Sequence, residues 1–166
     1  DGKKLSPKPG YFFSDHRRVV KKRFFTIQNT KNKKVREAAY KDMLKYAYKV
    51  CTYGEPAAVE LHSFDGVDDV LDVFRARNLA EKIARAINLL RKVIDQTERR
   101  VLKDEKVPAS EKVVSLFEIH TDIIVKGNRK TEYGHKIFVT GGASNLIIDC
   151  LIERGNPADS ACFQKL

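Results

Sequence analysis

Lys106-Val107-Pro108-Ala109-Ser110 is the stretch on which the reading of this 166-residue chain turns. Upstream of it, apolar residues recur at steps of three and four. Downstream they gather in short β-branched runs. Pro108 disfavours helix in the residue before it, so the change of period coincides with a break in the backbone. The expected fold class is α+β: a basic helical region over residues 1–105, followed by an antiparallel strand meander within 106–166.

Immediately upstream, a long helix is predicted from about Asp68 to Leu102. Leu79, Ile83, Ala86, Ile87, Leu90, Val93, Ile94 and Val101 form its apolar stripe. Before it, Val35, Ala39, Met43, Tyr46, Ala47 and Val50 predict a helix over Lys34 to Tyr53, which Gly54-Glu55-Pro56 is expected to end. Val59 to Phe64 fits neither pattern. Asn29 to Lys34 is polar and reads as a turn. Ser14 or Asp15 is placed to cap a first helix, and residues 1–13 read as a Lys/Pro/Gly-rich loop. Amphipathic helices cannot bury their stripes alone, so the three are expected to pack together. A coiled-coil partner is the competing reading, because the long stripe is nearly heptad-like.

Downstream, Val113 to Phe117, Ile123 to Val125, His135 to Thr140 and Leu146 to Glu153 read as strands. Lys126 to Lys130 is a basic turn, and Gly141 to Asn145 a hairpin loop. Gly155-Asn156-Pro157 ends the last strand, and Asp159 or Ser160 is placed to cap a short closing helix. The exposed edge of a partial sheet, with apolar Leu146 to Ile152 on it, predicts aggregation.

Charge narrows the function. The chain carries 32 Lys/Arg and 22 Asp/Glu, a net +10. Residues 1–50 hold 15 Lys/Arg against 4 Asp/Glu, whereas residues 51–166 hold 17 against 18. The first third therefore carries a local +11, a field that attracts polyanions, nucleic acid foremost. A solvated helix face is the plainer alternative. No apolar run approaches a membrane span, and no secretory leader is visible. Cys51, Cys150 and Cys162 suit neither a disulfide framework nor a zinc site, which points to a reducing, cytoplasmic setting.

The basic residues singled out for phosphate contact are Arg17, Arg18, Lys21, Lys22 and Arg23 on the first helix, with Lys126, Arg129 and Lys136 among the strands. For the Lys126 to Lys130 tract a solvated hairpin turn is an equal reading. Asp122, Glu132, Asp149, Glu153 and Asp159 invite a two-metal site, but nothing in their spacing makes them converge. Asp159 reads better as a helix cap. His120 and His135 have no partners at zinc-ligand spacing. Gly141-Gly142 lacks the Lys-Ser/Thr of a phosphate loop, and no serine stands in a nucleophile-elbow context.

Two sets of blocks carry a family resemblance. Among the strands these are Lys106 to Glu118, His120-Thr121-Asp122-Ile123-Ile124-Val125-Lys126-Gly127, Glu132-Tyr133-Gly134-His135-Lys136, Thr140-Gly141-Gly142, Leu146-Ile147-Ile148-Asp149-Cys150 and Gly155-Asn156-Pro157-Ala158-Asp159-Ser160. Among the helices they are Phe13-Ser14-Asp15-His16-Arg17-Arg18, Ala39-Tyr40-Lys41-Asp42-Met43-Leu44 and Val93-Ile94-Asp95-Gln96-Thr97. Together they resemble bacterial insertion-sequence transposases of the DDE type, in particular the ISNCY group. The resemblance implies an RNase H-like core interrupted by a helical insertion. In such enzymes two Asp and one Glu bind Mg²⁺, which activates water and then a DNA 3′-OH for attack on phosphodiesters.

In the family order the first Asp precedes the helical insertion, and the second follows the helix after Gly-Asn-Pro-Ala-Asp-Ser. The resemblance therefore carries no catalytic or metal-binding residue onto this chain. Asp122, Asp149 and Asp159 match motif positions other than the metal-binding ones. The lack of an initiator Met (the one methionine is Met43) and the closing helix that barely begins fit an internal fragment. The expected activity is DNA binding without sequence preference and without catalysis. Mg²⁺ is a cofactor of the complete enzyme alone. Partners are DNA and either a second copy or a full-length transposase. The rival reading is a non-enzymatic nucleic-acid-binding adaptor that regulates such a transposase.

Overall fold

In the computed structural model, residues 13–65, 69–163 and 165 are described. They fall into two units, Asp1–Lys112 and Val113–Leu166. The N-terminal loop expected over residues 1–13 lies almost wholly outside the described residues. No helix among those described is long and apolar enough to cross a membrane.

Among the described residues, three α-helices build the first unit: α1 (Arg17–Asn29), α2 (Lys33–His62) and α3 (Val70–Thr97). Each start has a carboxylate or amide for its free N–H groups. Asp15 accepts from the Arg17 backbone N–H at 2.9 Å, although His16 occupies the formal cap position. Asn32 accepts from the Lys34 and Val35 N–H groups at 3.0 and 3.3 Å. Asp69 accepts from Leu71 at 2.8 Å.

The α3 stripe settles into a strict alternation of four and three: Ala76, Ala80, Ile83, Ile87, Leu90, Ile94. It packs on a matching stripe of α2 that runs the opposite way. Leu44 and Cys51 meet Ile87 and Ile94, while Leu61 meets Ala76 and Ala80. The two stripes face each other within one chain, so the heptad-like spacing has its partner there. The opposite flank of α2 receives α1. The His16 and Tyr46 rings meet at a tilt of 50° with centroids 4.9 Å apart, and Arg23 reaches Asp42 at 2.5 Å. Thus α2 is the central helix, with two working faces.

Gly54-Glu55-Pro56 does not end α2, contrary to expectation; the helix continues to His62. Pro56 removes one backbone donor, a real cost in a helix interior. The residues around it outweigh that cost, because Cys51, Gly54, Ala57, Ala58 and Leu61 are all buried. Gly54 is there for packing: a Cβ on it would lie 2.8 Å from Ile87 Cδ1.

Past Thr97, α3 widens into a π-helical turn over Glu98–Leu102. The Lys103 N–H bonds back to the Glu98 carbonyl at 3.0 Å, and Glu105 to Arg99 at 2.8 Å. Asp104 sits in the left-handed region at φ 57° and lets the chain reverse. Residues 106–112 then stay with the helices. Val107 is buried, and Glu111 meets Arg99 at 2.7 Å. The unit boundary accordingly falls at 112/113 rather than 105/106.

The second unit holds two antiparallel hairpins, β1 (Asp122–Ile124) with β2 (Glu132–Gly134) and β3 (Lys136–Gly141) with β4 (Ile147–Glu153), and a short helix α4 (Asp159–Phe163). This corrects the expected meander. Val113 to Phe117 is not a strand, Glu132-Tyr133-Gly134 is one, and the four strands form two separate sheets. Gly134, at φ 155°, is the last residue of β2, where the chain leaves one hairpin for the other. Phe138 and Leu151 pair on the half-buried face of β3–β4, and Ile137, Val139, Cys150 and Ile152 on the exposed one.

Candidate nucleic-acid interface

On α1 the five basic residues divide by their partners. Arg17 forks onto Asp15, with Nη2 at 2.7 Å, and Arg23 is held by Asp42. Arg18, Lys21 and Lys22 make no ion pair among the described residues, and all three are exposed. They lie at i, i+3 and i+4, hence on one face of the helix. Lys21 Nζ also stands 6.0 Å from the centre of the Phe25 ring, which is itself about half exposed. The face therefore presents three cations and an aromatic edge with no counter-charge of its own.

The Arg17 contact has a pH signature. Side-chain and then backbone hydrogen bonds from Arg17 hold the Asp15 carboxyl down at about 2, from an ordinary 3.8. A carboxyl lowered by folding contributes its contact fully above 3.8 and loses it as pH falls through 2. A carboxyl ¹³C titration of the whole chain should place the Asp15 midpoint near 2, and Arg17→Gln should return it toward 3.8. A wild-type midpoint already near 3.8 rules the contact out.

In the second unit, Lys126 and Arg129 are exposed on the turn joining β1 and β2, with the Arg129 N–H bonded to the Lys126 carbonyl at 3.1 Å. Gly127 takes φ 55° at the tip, a conformation that costs glycine nothing. Lys136 is different. It is buried, its ammonium 2.6 Å from Asp159 and bonded to the Pro157 carbonyl. A phosphate would have to displace both partners, so Lys136 serves the fold rather than a phosphate contact. Asp159, the first residue of α4, is correspondingly an ion-pair partner. The hydrogen bond from Lys136 holds its carboxyl below the ordinary carboxylate value.

The remaining sequence blocks of this unit meet one another. Asp122 accepts from the Gly155 N–H at 2.7 Å, and the Asn156 amide donates to the Val125 carbonyl at 2.7 Å. His120 and His135 stack with centroids 4.8 Å apart, and His135 Nδ1 lies 3.9 Å from Asp122. The segment after β4 is thereby tied to the β1–β2 hairpin and to Lys136. These long-range ties explain the polar residues at those positions, and nothing in local periodicity announces them.

The acids do not fit a two-metal centre. Asp122 faces a backbone donor and an imidazole, Asp159 a lysine, and Asp149 the N–H of Cys150 at 2.7 Å. No three His, Cys, Asp or Glu side chains among the described residues are grouped to hold a metal ion. All three cysteines are free thiols, with Cys51 and Cys162 buried and Cys150 exposed. No protein-family model matches the chain, and no curated protein or solved structure is significantly similar to it.

Proposed function

We propose that the chain is a DNA-binding segment of a DDE-type transposase, comprising its helical insertion and part of its RNase H-like sheet. The observation that carries the DNA contact is the Arg18-Lys21-Lys22 face, three unpaired cations within a third of the chain that holds +11. Phosphates neutralise such a face without regard to sequence, and each releases condensed counterions. Lys126 and Arg129 add a second, smaller basic turn. The transposase assignment rests on the motif blocks, and the ties among Asp122, His135, Lys136, Gly155 and Asn156 support it by making those blocks one structural unit.

In this reading the chain binds DNA and does not cut it. Mg²⁺ chemistry belongs to the complete enzyme in this reading, which the partners held by Asp122, Asp149 and Asp159 support. The protein works in the reducing cytoplasm, where its thiols stay free, and it pairs with a second copy or with a full-length transposase. A filter-binding titration of the full chain on duplex DNA tests the first half: affinity should fall steeply between about 50 and 200 mM salt. An affinity indifferent to salt would defeat the electrostatic reading. A Mg²⁺-dependent nicking assay tests the second half. Nicking by the purified chain, abolished by Asp122→Asn, would show that its own carboxylates do hold metal.

A further inference from the structure

A further basic feature lies between α1, α2 and the π-turn. It is a cleft of about 370 Å³ with Ile27 and Val101 on its apolar walls. Lys33, Arg36 and Arg100 bring cations to it, against the carboxylates of Glu37 and Asp104. We propose that this cleft binds a phosphate group, clamped between the Arg36 and Arg100 guanidiniums. The proposal stands on the cleft and is independent of the α1 face.

Charge is the first argument. Lys33 is 3.9 Å from Glu37, so these two offset each other. Arg36 and Arg100 come from different elements, and neither makes an ion pair among the described residues. The contrast with the adjacent Arg99 is sharp: its guanidinium meets Asp95, Glu105 and Glu111 at 3.4, 3.2 and 2.7 Å. Glu37 and Asp104 share the cleft, yet neither Arg36 nor Arg100 forms an ion pair with them among the described residues. Two planar forks on opposite elements suit a tetrahedral oxyanion, which accepts bidentate hydrogen bonds from each.

Backbone is the second argument. The π-turn inserts one residue into the helical ladder and so alters the phase of the side chains that follow. Arg99 turns to its carboxylates, and Arg100 lines the cleft. Asp104, a non-glycine residue at φ 57°, closes the turn. Single π-turns and left-handed non-glycine residues are costly, and both concentrate at binding sites. Tyr40 adds a half-buried phenol to the lining, a further donor for a phosphate oxygen. The volume is in the range of small-ligand sites and admits a mono- or diphosphate.

The phosphate has two possible sources, a nucleic-acid backbone or a small phosphorylated compound. Calorimetric titration of the full chain with inorganic pyrophosphate at fixed ionic strength tests the site itself. Arg36→Gln with Arg100→Gln should weaken pyrophosphate binding by about tenfold or more. The charge-matched pair Arg77→Gln with Lys82→Gln, exposed on α3, should leave it unchanged. Absence of binding by the wild-type chain, or equal weakening by both pairs, overturns the proposal. Far-ultraviolet circular dichroism verifies that each variant keeps its helices. With the site upheld, duplex binding by the same variants separates the sources. A larger loss for Arg36/Arg100 than for Arg77/Lys82 assigns the phosphate to the nucleic-acid backbone, and an equal loss assigns it to a small ligand. Because α1 is untouched, failure here leaves the α1 reading intact, and failure at α1 leaves this one.

Discussion

Ile87→Ala is expected to lower the stability of the helical unit by about 2–5 kcal/mol, the usual range for truncating a buried branched side chain. Ile87 is buried among Leu44, Cys51 and Ile94, so the lost methyl groups leave a gap that these neighbours cannot fully close. Val70→Ala, at a position 86% exposed, should change stability by no more than about 0.5 kcal/mol. Both are read as urea-denaturation midpoints followed by helical circular dichroism.

Gly54 sharpens this test. Its hypothetical Cβ would sit 2.8 Å from Ile87 Cδ1, the mobile end of a side chain. Gly54→Ala alone should therefore be close to neutral: about 1 kcal/mol of helix propensity is gained, and crowding against Ile87 offsets it. In the Ile87→Ala background the crowding is gone, and the same substitution should stabilise. The double-mutant cycle should return a coupling of about 1 kcal/mol or more, in the range seen for residues in contact. Strict additivity would mean that α2 and α3 do not approach each other at Gly54.

The same pair of helices shows what could be read from sequence and what could not. The α3 stripe was visible from Leu79 onward because Ile and Leu mark it. Its continuation through Ala76 and Ala80 was not, since alanine is equally common on solvent faces. Yet these two residues are buried against Leu61, where only small side chains let the helices close. On α2 the stripe Val35, Ala39, Met43, Tyr46, Ala47 and Val50 marks a helix, but it touches the side that meets α3 only at Ala47 and leaves out Leu44, Cys51 and Leu61. A helix with neighbours on both flanks has two overlapping periods, and one swamps the other. Pro56 and Gly54 were read by their local preferences, which tertiary burial overrode.

Among the strands, local reading failed for a different reason. Glu132-Tyr133-Gly134 has no alternation to reveal it, being only three residues long and mostly exposed. It is a strand because it pairs with Asp122–Ile124. Lys136 looked like one more surface cation. Its ammonium is buried by residues more than twenty positions later in the chain, Pro157 and Asp159, which no window of sequence connects to it. The apolar strand itself is legible: Leu146 to Glu153 contains β4, whose Ile147 and Ile148 are 71% and 73% exposed.

On α1, replacing Arg18, Lys21 and Lys22 together by Gln should weaken duplex binding and flatten its response to salt. Each phosphate contact contributes about 0.9 to the slope of log K against log salt, so three contacts account for about 2.7. Across a fourfold rise in salt, from about 50 to 200 mM, the variant should lose about 40-fold less affinity than the wild-type chain. Arg17→Gln and Arg23→Gln should each move the slope by much less than one contact, because Asp15 and Asp42 already hold those guanidiniums. Lys136→Met supplies the opposite contrast. It removes a buried ammonium from Asp159 and Pro157, so it should destabilise the strand unit and leave the slope as it is. If Arg17, Arg23 and Lys136 each shift the slope as much as Arg18, Lys21 and Lys22 do, binding follows total charge. The one-sided face of α1 would then have no special part in it.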